Sequence, residues 1–184
     1  MTRLLGLSGS LRRNSFNAGL LRAAREVMPA DTTLEIGDIS GIPLYNGDVE
    51  REMGVPDSVT ALKEAIAAAD GVLLATPEYN NGIPGVFKNA IDWASRPAAD
   101  IPRVFGGRPI ALIGASPGGF GTILAQNGWL PVLRTLGTEL WTGGRLMVPG
   151  AGKAFDAEGN LIDDLVREKL QRFVAGLVEF VRRH

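Results

Sequence analysis

The sequence predicts an open, doubly wound α/β fold, a parallel sheet with helices on both faces, on three observations. Apolar runs of strand length alternate with amphipathic stretches along the chain, the spacing of parallel βαβ units. Runs such as Val72-Leu-Leu-Ala75 are apolar throughout, as strands buried on both faces require. No repeat, low-complexity tract or linker divides the 184 residues, which are therefore expected to form a single domain, 1–184.

In chain order, RLLGLSG (3–9) reads as strand one and AGLLRAAREVM (18–28) as a helix ending at Met28-Pro29. TTLEIGDI (32–39) is strand two, and DSVTALKEAIAAAD (57–70) is a helix with Asp57 or Ser58 as its cap. GVLLATP (71–77) is strand three, GVFKNAIDWAS (85–95) a helix and PIALIGASP (109–117) strand four. TILAQNGWLPVLRTLG (122–137) is helical, with Pro131 expected to kink or split it. ELWTGGRLMV (139–148) supplies a fifth strand interrupted by a glycine pair, and a last helix runs over 161–182. The stretch SGIPLYNGDVEREMGVP (40–56) reads as a functional loop.

Composition narrows the chemistry. A net charge of −1 gives no footprint for nucleic acid and no polybasic segment for a membrane surface. Gly6, Ser8 and Gly9 interrupt the first apolar run, so it does not read as a signal peptide, and no run reaches the ~20 residues of a membrane span. The chain has no cysteine, so disulfides, thiolate nucleophiles and cysteine metal sites are excluded; a cytoplasmic setting is expected. The single histidine is His184, the last residue, which leaves serine–histidine triads and histidine metal clusters out of reach and no metal site expected. Hard chemistry in such a chain belongs to a cofactor.

Between strand one and the first helix stands GSLRRNSFN (9–17). A loop that opens a helix turns backbone N–H groups and the positive helix end toward an anion. Ser10, Ser15 and Asn17 add donors and Arg12 adds charge. There is no Walker lysine motif and no Gly-x-Gly-x-x-Gly, although Asp38 stands near the place of a ribose-binding acid. Helix capping with solvated arginines is the alternative reading of the same residues, behind the anion site. The second polar loop, TPEYNNGIP (76–84), follows strand three, and ligands of open α/β sheets sit at the switch point between such loops. There the plainer reading is a rigid, proline-bracketed turn with Tyr79 as a surface aromatic.

Taken together, GSLRRNSFN and TPEYNNGIPGVFKNAIDW (76–93) resemble the NADPH-dependent FMN reductase family, and within it the bacterial chromate and quinone reductases. IPLYNGDVEREMGVPDSV (42–59) extends the likeness, which covers Leu4 to about Ser116 and is looser beyond. The resemblance implies a flavodoxin-like, five-stranded sheet of order 2-1-3-4-5, non-covalent FMN, and NAD(P)H as electron donor. It places Ser10, Arg12, Ser15, Phe16 and Asn17 around the FMN phosphate. Pro77, Glu78, Tyr79 and Asn80 border the isoalloxazine, with Ser116 and the glycine loop containing Gly119 on the remaining side. No side chain is implied as catalytic; Lys88, Asp92 and Trp93 organise their helix. Quinones, flavins, azo compounds or chromate are the implied acceptors, reduced in ping-pong turnover. The alternatives are a flavodoxin-type electron carrier and a flavin-free anion-binding module.

A homodimer or dimer of dimers is expected as well. Val86, Phe87, Ala90, Ile91, Trp93 and Ala94 offer more apolar surface than one sheet contact needs, and Trp129 and Leu130 extend it.

Overall fold

Strand β1 (Thr2–Ser8) lies between β2 (Thr32–Gly37) and β3 (Gly71–Ala75), with β4 (Pro109–Ala115) beyond β3, in a computed structural model that describes residues Met1–His184. All pairings are parallel, and the order 2-1-3-4-5 is the expected one. The direction of winding reverses between β1 and β3, so the loops leaving these two strands flank the switch point.

The fifth position is held by two short strands rather than one. Strand β5 (Glu139–Leu140) pairs with Pro109 and Ile110, and β6 (Leu146–Val148) pairs with Ile113 to Ala115. The glycine pair lies in the break because Trp141 folds back over it: a Cβ on Gly143 or Gly144 would stand 2.7 Å from the indole.

Seven helices surround the sheet: α1 (Phe16–Glu26), α2 (Gly47–Met53), α3 (Asp57–Ala68), α4 (Gly85–Ala94), α5 (Ile101–Val104), α6 (Ile123–Thr135) and α7 (Asp164–Val181). Alternate strand residues serve opposite layers. Leu4, Leu73, Ala111 and Ile113 pack with α1 and α7 through Leu20, Leu21, Phe173 and Leu177. Leu5, Leu7, Val72, Leu74 and Ile110 pack with α3, α4 and α6 through Leu62, Ile66, Ile91, Trp129 and Leu133. Each buried leucine, isoleucine or valine among them contributes about 1.5–3 kcal/mol, so β1, β3 and β4 are held from both sides.

Several expectations are corrected here. Helix α1 begins at Phe16, two residues early, because the Ser15 hydroxyl accepts from Ala18 N–H at 3.2 Å and caps it. Neither Asp57 nor Ser58 caps α3; its cap position is Pro56, and Ser58 Oγ donates to the Gly41 carbonyl. Pro131 does not split α6, because it sits on the exposed side. The last helix starts at Asp164, capped by Asp163, since Leu161 bridges to Phe155 instead. The 40–56 stretch contains α2, capped by Asn46. The apolar residues expected to form a subunit contact, Phe87, Ala90, Ile91, Trp93, Ala94 and Trp129, lie in the core, 0–2% exposed; only Val86 and Leu130 face outward.

Candidate active site

The chain leaves β1 through Gly9, whose N–H continues the pairing by donating to the Ala75 carbonyl at 2.9 Å. A Cβ here would lie 2.3 Å from the Phe87 ring and 2.9 Å from Pro77, so only glycine lets the first loop touch the second. Beyond it, Ser10 N–H donates to Ser8 Oγ and Arg12 N–H to Ser10 Oγ, each at 3.3 Å. The N–H groups of Leu11, Arg13, Asn14, Ser15, Phe16 and Asn17 meet no acceptor within the chain. They form a fan of free donors at the positive end of α1. Arg12 lies over the Phe16 ring, 5.4 Å from its centroid, with no carboxylate partner. Asn17 plays a different part: its buried amide donates to Ala115 O and accepts from Ala115 N–H, both at 2.9 Å. It ties α1 to the end of β4.

The second loop is a tight turn. Tyr79 and Gly82 exchange N–H···O bonds at 3.1 Å around Asn80 and Asn81, both left-handed with φ of 49° and 62°. Asparagine tolerates that conformation better than most residues. Tyr79 remains 45% exposed beside the cleft. The Glu78 carboxylate turns away and accepts from Leu124 and Ala125 N–H, each at 2.9 Å. It thereby caps α6, whose own Thr122 makes no cap bond because its Oγ1 accepts from Gln126. The third loop is braced at Ser116, whose hydroxyl accepts from Gly118 N–H at 3.1 Å.

These loops enclose a narrow cleft of about 50 Å³. Of the residues expected at the site, all but Asn80 and Gly119 line it; Asn80 is at the turn tip and Gly119 is exposed in the third loop. Ala115 and Pro117 also line it and were not foreseen, since neither carries a functional side chain. A larger cavity of about 410 Å³ lies across α6, between it and the broken fifth strand. Asp38 is engaged within its own turn. Bonds from the Ser40 hydroxyl and N–H hold its carboxyl below the usual carboxylate range.

The segment after β2 is pinned to α4 and to Arg96. Tyr45 hydroxyl donates to Glu50, and Arg96 Nε donates to the same carboxylate at 2.9 Å. Trp93 Nε1 and Asn89 Nδ2 both donate to the Pro43 carbonyl at 2.9 Å. Lys88 and Asp92 bond to each other along α4, at 2.7 Å.

The arrangement offers donors for an anion, an exposed tyrosine on a tight turn for a ring, and no acid–base pair. That chemistry fits a cofactor carrying both a phosphate and an aromatic system. The family model for NADPH-dependent FMN reductases matches residues 2–153. The chain is 46% identical over 181 residues to an NAD(P)H-dependent FMN reductase of Pseudomonas aeruginosa, covering 98% of this chain and 96% of the relative. It is 41% identical to a 2-hydroxy-1,4-benzoquinone reductase of a Burkholderia species, covering 95% of this chain and 93% of the relative. FerB, a flavoenzyme NAD(P)H:(acceptor) oxidoreductase from Paracoccus denitrificans, superposes with a TM-score of 0.87 at 34% identity, covering 100% of this chain and 99% of that one. The chain therefore belongs to the NADPH-dependent FMN reductase family, FMN-dependent enzymes with NAD(P)H as donor and a flavodoxin-like fold.

Proposed function

We propose that the cleft holds FMN with its phosphate on the free N–H groups of residues 11–17, aided by Arg12, Ser15 and the dipole of α1, and that the enzyme passes reducing equivalents to quinones and related small oxidants. The observation that carries this reading is that fan of unbonded donors, set against the Pro77–Tyr79 loop by the Gly9 contact. Pro77, Tyr79 and the turn at Asn80 border the ring system, with Ser116, Pro117 and the loop through Gly119 opposite; Glu78 contributes through α6. Bound FMN would supply hydride acceptance and electron delivery. The chain's own residues bind and orient, and none holds a proton for transfer.

Nicotinamide and acceptor use one open side of the cleft and exclude each other, which gives ping-pong turnover and tolerates unlike oxidants, including free flavin, azo compounds and chromate. Exposed apolar side chains, Phe120 at 83%, Leu44 at 82% and Met53 at 81% among them, support a homodimer or dimer of dimers. The relatives' substrates and the NAD(P)H requirement support a cytoplasmic enzyme.

Initial rates at varied NAD(P)H and quinone test the reading. Parallel double-reciprocal lines are expected; intersecting lines would show that both substrates fit together. Arg12→Ala or Ser15→Ala removes a bond worth roughly 1.5–3 kcal/mol and weakens FMN binding about tenfold or more. Unchanged affinity in both variants would remove the phosphate assignment.

A further inference from the structure

Residues 155–161 form a turn that lies beyond the segment matched by the family model and is seated on the start of α1. Phe155 and Leu161 close its neck as an antiparallel bridge. Asp156 fastens its tip by accepting from Asn160 N–H at 2.7 Å and Nδ2 at 3.1 Å. Asn14 Nδ2 donates to the Ala157 carbonyl at 2.9 Å, and Arg22 donates to Gly159 O at 2.8 Å and Asn160 Oδ1 at 3.1 Å. The Phe155 and Phe16 rings meet at 5.1 Å. The backbones themselves are in contact: a Cβ on Gly19 would stand 2.0 Å from Gly159 O. Gly159 is buried and left-handed, with φ of 79°, and a Cβ there would stand 2.9 Å from the Asn14 backbone.

We propose that this turn is the positioning element of the phosphate loop, with Asn14, Arg22 and Gly159 as positioning residues that hold the N–H groups of 13–17 in the orientation an FMN phosphate requires. The inference rests on the FMN reading above. Between Gly9 and Asn14 the loop is held internally by long bonds, from Ser10 and Arg12 N–H to serine oxygens at 3.3 Å and from the Ser8 hydroxyl to Ser10 O at 3.5 Å. Ordering a residue costs about 1–2 kcal/mol, and a ligand that must order its own site loses that affinity. Clamping by the distant turn removes the cost before the ligand arrives. The Asn14 and Arg22 side chains and Gly159 do not line the cleft, so they act on the phosphate only through the loop.

Dissociation constants of FMN and of riboflavin, which lacks the phosphate, test this on the full chain after flavin removal. In Arg22→Ala and Asn14→Ala the FMN constant is expected to rise about tenfold while the riboflavin constant stays within about twofold. Arg22→Lys keeps one donor for Gly159 O and recovers part of the loss. Equal weakening of both ligands would make the turn a general support of the fold and overturn the proposal. So would an unchanged FMN constant in both alanine variants of a protein that prefers FMN. A wild-type protein that binds FMN no better than riboflavin would instead overturn the phosphate reading itself, and this proposal with it.

Discussion

Glu78 is the residue whose removal tests the architecture of the site most directly. It belongs to the loop after β3, yet its carboxylate accepts both N–H groups at the start of α6, 46 and 47 residues away. It therefore joins the two loops that flank the cleft. Charged hydrogen bonds contribute about 1.5–3 kcal/mol each when sheltered, but the bond to Leu124 is exposed, and losing a helix cap costs about 0.5–2 kcal/mol. Glu78→Ala is accordingly expected to cost about 2 kcal/mol, or about 4–8 °C in melting temperature for a domain of this size. Glu78→Gln keeps an acceptor oxygen and loses only the charge facing the helix end, about 0.3–1 kcal/mol and about 1–4 °C. Calorimetry of the flavin-free protein gives both numbers without involving the cofactor. Equal losses in the two variants, or none in Glu78→Ala, would show that the carboxylate does not cap α6 and that another contact joins the loops.

Lys63 is buried, its side chain 5% exposed, and donates to Asp100 and to the Arg96 carbonyl, both at 2.5 Å. Asp100→Ala strands that ammonium and should cost about 3 kcal/mol in urea unfolding, whereas Lys63→Met leaves a carboxylate that water can reach and should cost less; the reverse ranking would contradict the pairing. The bond from Arg96 holds the Glu50 carboxyl below its ordinary value. Its contribution is therefore complete above the unfolded glutamate pKa of about 4.3 and is lost as pH falls through the lower folded value. Acidification should then free the segment around Tyr45, which packs edge-on against Trp93 at 4.9 Å, and change tryptophan emission. The same acid transition in Glu50→Gln would assign it to another group.

How much of this was legible in the sequence follows from the range over which each signal acts. The strand–helix alternation, the sheet order implied by the resemblance and the two polar loops were all readable, because apolar periodicity and loop composition are local. Most of the expected site residues also meet at one cleft, since β1 and β3 are adjacent and their loops leave the same edge. The tertiary structure decided the rest. Phe87, Trp93 and Trp129 read as surplus apolar surface, yet Phe87 and Trp129 fill the layer beneath the sheet, and Trp93 is buried against Tyr45 and the Pro43 carbonyl. Asn17 read as a phosphate donor, and nothing in the sequence showed that its amide also joins Ala115, 98 residues away. Glu78 read as a neighbour of the ring and serves as the cap of another helix. The fifth strand broke where Trp141 turned back onto its glycines. Except at that break, where Trp141 meets glycines two and three residues on, the deciding partner is distant in the chain, and a polar group or aromatic ring gives no sign of which partner it will meet until packing brings the two together.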